Sequence, residues 1–261
     1  MKKTVLVFFS FFLIFSCVEN KKEENQPIKK IVNDNKKYPS SLVKIFNAHG
    51  GLSTWQKMKT LSYEIETTLG TEVHTTDLNL RQAVIASNAF KLGFDGVGVW
   101  LEDKEGVYSG NATFYYNQMF YFYTMPFIIA DEGAFYTERK DAVIERKTYG
   151  VLHIGFERNV GESPEDEYII YYNKETYQME WLGYTVTYFD GNKNTNWQYI
   201  KYDTWRNIEG LLLPEKLVWY EQNNRVFTPS QTLIFTNVKI SETALIKSFF
   251  QAPEGSEFIE K

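Results

Sequence analysis

Ala112-Thr-Phe-Tyr-Tyr-Asn-Gln-Met-Phe-Tyr-Phe-Tyr-Thr-Met-Pro-Phe-Ile-Ile-Ala130 carries no charge across nineteen residues, and fourteen of them are apolar or aromatic. A helix that is apolar on every side has to be surrounded by protein or by lipid-like material. A membrane span does not fit, because four tyrosines, Asn117, Gln118 and Pro126 all weaken insertion. Pro126 also ends any helix that reaches it. The segment therefore belongs inside the fold. Two readings fit it. It is a helical plug that fills a curved sheet, or it lids a cavity and lines it with adaptable Met and aromatic side chains. On the second reading the ligand-facing wall comprises Phe114, Tyr115, Met119, Phe120, Phe122, Met125 and Phe127, with Trp100 from a neighbouring strand. The tyrosines favour a lined cavity, since each hydroxyl needs a partner.

The flanking sequence supplies the sheet. In Leu61-Ser-Tyr-Glu-Ile-Glu-Thr-Thr-Leu69 the positions 61, 63, 65 and 69 are apolar and those between are polar. That period of two predicts a strand with one wet face. Residues 81–86, 89–94 and 97–101 predict further strands, with Asp95-Gly96 as a hairpin signal. Beyond the middle of the chain, strands are predicted over 167–172, 177–189 (one long strand or a pair), 197–205, 213–221 and 225–240. Turns are predicted at 173–176, 190–191, 207–210 and 222–224. The fold class is mainly β: an antiparallel sheet of about ten or eleven strands that curls, as large twisted sheets do, into an incomplete barrel. Pro39, then Leu42, Val43, Ile45 and Phe46, then Gly50-Gly51 predict an opening helix. Ser53 with Gln56 predicts a capping box for a second short one.

The N-terminus reads as an address. Lys2 and Lys3 precede an uncharged run from Val5 to Phe15, too short to span a bilayer and fitting a secretory signal over residues 1–16. Cys17, the single cysteine of the chain, closes it. The arrangement resembles the lipobox of bacterial lipoproteins, with Ile14 and Ser16 in the pattern's places and Phe15 where a small residue is usual. That resemblance implies cleavage before Cys17 and lipidation of its thiol, so that acyl chains such as palmitate hold the protein on a membrane. Residues 17–37 then form a charged tether without an aromatic ring. Its Glu23-Glu24 pair resembles export signals that send some lipoproteins to the cell surface, or is simply part of a solvated linker. Residues 38–261 form a single half-barrel domain.

The chain also resembles, over most of residues 38–255, the lipoprotein-localisation proteins of the LolA/LolB type. The shared features are the opening helix, the strand order, the Phe94-Asp-Gly96 hairpin, the apolar insert and the closing strand pairs. More closely, it is similar to an uncharacterised family of bacterial lipoproteins, on Ala48-His-Gly-Gly51, Gly161-Glu-Ser-Pro-Glu-Asp-Glu-Tyr168 and Glu209-Gly-Leu-Leu-Leu-Pro214. The resemblance implies a half-barrel with a helical lid over a hydrophobic cavity, and carries no residue roles with it. The expectation is a lipid-anchored protein of the cell envelope, at the outer membrane and facing periplasm or surface, that binds an apolar or amphipathic ligand.

Composition and motifs bound the alternatives. A net charge of −5, falling to −7 once Lys2 and Lys3 are removed, argues against a phosphate-driven nucleic-acid partner. No H-E-x-x-H, P-loop or G-x-S-x-G string is present, and no cofactor is implied. His49 is expected at a helix C-terminus, where a cation is favoured. His74 and His153 are expected to be structural, with no spacing that makes a metal site. Asp190-Gly-Asn192-Lys-Asn194 opens like a calcium loop but has Thr195 and Lys201 at the deciding positions. Glu162, Glu165, Asp166 and Glu167 form an acidic loop. Two rivals remain: a glycan-binding surface lipoprotein using an exposed row drawn from its six tryptophans and 18 tyrosines, and a hydrolase using Asp95, Glu102 or Asp103, the chain otherwise being expected not to be an enzyme.

Overall fold

The structure, a computed structural model, describes residues 37–157, 163–189, 191, 193 and 195–259. Cys17, the signal and most of the tether, Glu162, Asp190, Asn192 and Asn194 lie outside the described residues.

Helix α1 (Ser40–Ala48) starts from Pro39 at its N-cap, where the missing N–H costs nothing. Its inner face, Leu42, Ile45 and Phe46, is fully buried. It stops at Gly50, whose φ of +103° suits glycine. A Cβ there would collide with the Gly210 carbonyl oxygen, so only glycine lets the two backbones meet. Helix α2 (Leu52–Trp55) corrects the expected capping box: Gly51 is its N-cap, with no side-chain cap bond, and Ser53 lies inside the helix.

Among the described residues the strands number sixteen, and all ladders are antiparallel. The first sheet takes β1 (Thr60–Thr67), β2 (Gly70–Asp77), β3 (Ala83–Ala86), β4 (Lys91–Phe94), β5 (Val99–Glu102), β15 (Thr236–Ser241) and β16 (Glu257–Ile259). The second takes β6 (Ala134–Ile144), β7 (Lys147–Phe156), β8 (Tyr168–Asn173), β9 (Met179–Tyr184), β10 (Gln198–Lys201), β13 (Lys216–Asn223) and β14 (Val226–Ile234). A hairpin of β11 (Trp205–Ile208) and β12 (Leu211–Pro214) stands apart.

The two seven-stranded sheets share one run of chain. β14 pairs with β13, and after Phe235 the same run continues as β15 and pairs with β1. Phe235 is fully buried, and its N–H donates to the Glu215 carbonyl at 2.9 Å. The outer edges of the combined wall, β6 and β16, do not pair with each other among the described residues. The mainly β, unclosed antiparallel architecture expected from the sequence is thus present. It holds more strands than expected, divided between two sheets.

Local chemistry explains the turns. Asp95 Oδ1 accepts from the N–H groups of Val97 and Gly98, and Gly96 takes φ +98°. Asn224 and Arg225 both have positive φ, the twist that suits a two-residue hairpin. β1 buries Leu61, Tyr63 and Ile65 and turns the alternate residues outward, as its period of two requires. β7 is buried along most of its length because both its faces are covered. Leu152 and Ile154 join the main core, and Tyr149 and Val151 join an outer cluster around Trp181.

Helix α3 (Ala112–Thr124) lies in the hollow. Asn111 caps it, its Oδ1 accepting from Phe114 N–H at 2.8 Å. It ends at Thr124, two residues before Pro126, and a 3₁₀ turn follows over Phe127–Ala130. The freed carbonyls find tyrosine and threonine partners. Tyr202 donates to Phe122 O at 2.7 Å, Thr124 to Phe120 O at 2.7 Å, Tyr136 to Ile129 O at 2.6 Å and Tyr38 to Ala130 O at 3.0 Å. No residue of α3 is exposed, and Phe114, Tyr115, Asn117, Gln118 and Tyr121 are half-buried while the rest of the helix is buried. No helix among the described residues is long and apolar enough to cross a membrane.

Candidate functional site

The inserted helix fills most of the hollow but not all of it. Met119, Phe122, Tyr123 and Met125 pack into the main core with Leu61, Tyr63, Leu152, Ile170 and Leu182. Where α3 faces the ends of β8 and β9, a half-open cavity of about 270 Å³ remains. Its helical wall is Phe114, Tyr116, Asn117, Gln118, Tyr121 and Phe122, and its sheet wall is Tyr168, Tyr184, Thr185 and Val186. Tyr168 and Tyr184 are register partners across the β8–β9 ladder, so their side chains leave the sheet on the same side. Phe94, Phe156 and Tyr188 close the remaining sides. A second, smaller cavity of about 100 Å³ lies against Thr76, Ala83, Phe120, Ile128 and Asp131. Arg81, Tyr116, Asn117 and Tyr121 border both.

The mouth carries a three-ring cluster. Phe114 stands 5.2 Å from Tyr188 and 5.0 Å from Phe189, and these last two are 5.2 Å apart. Phe189 is 70% exposed, which leaves apolar surface at the rim.

Of the lining residues expected from sequence, Phe114 and Phe122 lie on the larger cavity and Phe120 on the smaller. The structure places the other five elsewhere. Met119 and Met125 are core. Phe127 is stacked between Phe46, at 6.2 Å, and Trp55, at 5.0 Å. Trp100 is on the outer face of its sheet: Val99 points inward on β5, so the next residue points out, where Phe250 covers it and its carbonyl accepts from Trp100 Nε1 at 3.1 Å. Tyr115 turns toward Glu72, donating to its Oε2 at 2.7 Å.

That contact belongs to a buried polar group that the sequence reading missed. Glu72 and His74 share the inner face of β2, each 3% exposed, with His74 Nε2 at 3.2 Å from Glu72 Oε2. Tyr63 stacks on the imidazole at 4.9 Å. Burial pushes the Glu72 carboxyl up, but hydrogen bonds from His74 and Tyr115 outweigh it and hold the pKa below its ordinary value. Burial holds His74 below its ordinary value despite Glu72. The two directions agree on a carboxylate that accepts from a neutral imidazole N–H and a tyrosine O–H.

Among the described residues, the charged ones on the two cavity walls are Arg81, Asp131 and Asp166. Arg81 Nη2 donates to both Asp131 oxygens at 2.7 Å, and the guanidinium lies 4.9 Å over the Phe120 ring. Burial raises the Asp131 pKa, with Arg81 opposing it. Asp166 Oδ1 accepts from Thr187 N–H at 2.6 Å and Thr187 Oγ1 at 2.8 Å. Burial, then the charge of Asp131, raises the Tyr121 hydroxyl.

His49 departs from expectation. It is at the end of α1, but it is completely buried. Burial lowers its pKa to about 4, so it is a neutral ring rather than a cation. Its Nδ1 is 2.8 Å from the Ile45 carbonyl, and Trp205 packs against it at 4.5 Å. Glu167 contacts His153 at 3.4 Å and Lys193 at 2.6 Å. Asp95 caps its turn, Glu102 pairs with Lys104 at 3.3 Å, and Asp103 accepts from the N–H groups of Val107 and Tyr108. No two of these three carboxylates are paired with each other. None of the six tryptophans is exposed. No His/Cys/Asp/Glu group among the described residues could hold a metal ion.

A family described as being of unknown function (DUF6503) matches residues 2–234. No curated protein matches the chain. Among solved structures the chain is similar to the LolA superfamily protein of Nitrosomonas europaea, at 8% identity and a TM-score of 0.45, covering 77% of this chain and 96% of that one. It is also similar to a DUF1329 family protein of Desulfovibrio piger, at 8% identity and a TM-score of 0.43, covering 79% and 97%. A putative outer membrane lipoprotein-sorting protein domain of Vibrio parahaemolyticus matches at 11% identity and a TM-score of 0.35, covering 78% and 97%.

Proposed function

This chain belongs to DUF6503, a family of unknown function, and we propose that it is a lipid-anchored protein of the cell envelope that holds an apolar or amphipathic ligand, such as an acyl chain, beside α3. The anchor is the lipid on Cys17, which seats the protein on the outer membrane, with the folded body facing periplasm or cell surface. The observation that carries the binding reading is the cavity of about 270 Å³ left between α3 and the β8–β9 ends, walled mainly by aromatic side chains. Small-molecule sites usually run from ~300 to ~1,000 Å³. This one suits a single chain or chain segment rather than a whole two-chain lipid. The rivals find less support. A glycan platform needs exposed flat rings, and of the tryptophans Trp55, Trp100 and Trp181 are buried and Trp197, Trp205 and Trp219 half-buried. A hydrolase needs paired carboxylates with separated pKa values, and Asp95, Glu102 and Asp103 are each engaged apart.

The test is native mass spectrometry on the mature full-length protein after mild extraction, followed by titration of the stripped protein with N-phenylnaphthylamine. A lipid-sized adduct and one-to-one uptake of the dye are expected. A bare mass together with no uptake of the dye would overturn the reading.

A further inference from the structure

Three turns meet around the cavity mouth, and each holds an apolar side chain out to solvent. Leu80 lies in the turn between β2 and β3 and is 55% exposed. Val97 tips the hairpin between β4 and β5 and, at 91%, is the most exposed large apolar side chain among the described residues. Phe189 follows β9 and stands with Phe114 and Tyr188 at the rim. Their neighbours bring the three to one place, since Arg81, Phe94, Phe114 and Tyr188 all line the larger cavity. Gln82 Nε2 also donates to the Asp95 carbonyl, which ties the first turn to the second. Exposed apolar residues scattered singly need no explanation, but a group of them around an apolar opening marks a contact surface.

The chain enters the body on the same side. Tyr38 follows the tether directly and donates to the Ala130 carbonyl at 3.0 Å. The next residue, Asp131, binds Arg81, which adjoins Leu80. Residues 17–36 span at most about 70 Å when fully extended. A lipid on Cys17 therefore holds the mouth toward the membrane without the chain passing round the body.

We infer that Leu80, Val97 and Phe189 dip into the lipid surface that carries the anchor, so that the cavity opens onto the bilayer. The inference rests on the lipid-anchored reading above and adds the orientation of the body and the route of the ligand. The lipid retains the protein, and the three tips orient it. A bilayer fits them better than a folded partner does. They are single side chains on separate turns, which a fluid lipid surface accepts one by one, whereas a rigid partner needs three matching pockets. An apolar chain then moves from the bilayer to the wall formed by Phe114 and Phe122 without crossing water.

The experiment places the lipidated mature protein, extracted in mild detergent, on vesicles of phosphatidylethanolamine and phosphatidylglycerol. With Cys17 occupied by lipid, an introduced cysteine is the sole free thiol. Leu80→Cys, Val97→Cys, Phe189→Cys and Glu175→Cys are each labelled with an NBD fluorophore, and quenching by nitroxide-bearing lipids is measured. Glu175 is the control, exposed in the turn at the far end of β8 from the cavity. Quenching at positions 80, 97 and 189 is expected to be at least threefold stronger than at 175. For the label at 97, adding Leu80→Asp and Phe189→Asp should bring quenching down to the level at 175, with the melting temperature retained. Equal quenching at all four positions, or quenching at 97 that survives the double substitution, overturns this inference alone. A label at 97 that shifts to the blue without being quenched assigns the tips to a protein surface, such as a second copy, and overturns it too. Protein that does not float with the vesicles overturns the lipid-anchored reading and this inference with it.

Discussion

The Tyr202 hydroxyl reaches the Phe122 carbonyl at 2.7 Å, tying the last turn of α3 to the residue that follows β10. Phe122 also lies on the cavity wall, so this bond fixes a wall as well as a helix end. Both partners are buried, and the carbonyl is one of the orphans every helix leaves at its C-terminus. Tyr202→Phe removes the donor and keeps the ring. We expect a loss of about 1–3 kcal/mol in urea unfolding, with an unchanged m value. A loss well under 0.5 kcal/mol would mean that water replaces the hydroxyl.

Phe127 holds the turn after α3 between Phe46 and Trp55. It is 1% exposed. Phe127→Ala should cost roughly 3–5 kcal/mol, the range for emptying a large core site. A cost near 1 kcal/mol would show that the region collapses to fill the space.

Acid should weaken the fold. The folded pKa of His49, about 4, lies below its ordinary value of 6.5. Between those values the unfolded chain binds the proton and the folded chain does not, so stability rises with pH across that window. The contribution is complete above about pH 6.5 and is lost as pH falls toward 4, amounting to ~3 kcal/mol. His74 is shifted the same way and adds to the slope. Denaturant unfolding at pH 7.5 and pH 4.5, for the parent and for His49→Gln, checks it. The variant should show a shallower loss, and equal slopes would remove His49 from the account.

Gln118 is half-buried on the cavity face of α3. Gln118→Trp places a large ring where the space lies. Dye binding should weaken at least tenfold while the melting temperature stays within a few degrees. Undiminished binding would locate the dye elsewhere on the molecule.

Cys17→Ala removes the only thiol to which a lipid could attach. The expected result is release of the protein from the membrane pellet into the soluble fraction, since a non-spanning anchor depends on its acyl chains. Retention in the pellet at the parent's level would exclude the lipid on Cys17 as the anchor.

Much of the wall was readable because its chemistry is local. β1 alternates cleanly, and the Asp95-Gly96 turn needs only its own residues. β2 escapes a sequence reading because its inward positions hold Glu72, His74 and Thr76, which look solvated until Tyr115, forty-three residues on from Glu72, supplies a partner. β6 escaped because it is an edge strand, exposed along most of its length, with no apolar stripe to read. At the site, apolarity pointed to the right helix but not to its faces. α3 is apolar all round, so no pattern separates Phe114 on the cavity from Met119 in the core. Arg81 gave no sequence signal, since its setting depends on Asp131 fifty positions away and on a left-handed backbone at φ 60°.

The handover at Phe235 makes residues 226–241 a member common to both halves of the wall. A nick at Phe235 would part β14 from β15 where one sheet runs on into the other without a break, whereas a nick between β5 and α3 would fall in a connection that lies outside every ladder. Two proteolytic wounds of equal size would therefore have unequal consequences, and the vulnerable point is a single phenylalanine wide.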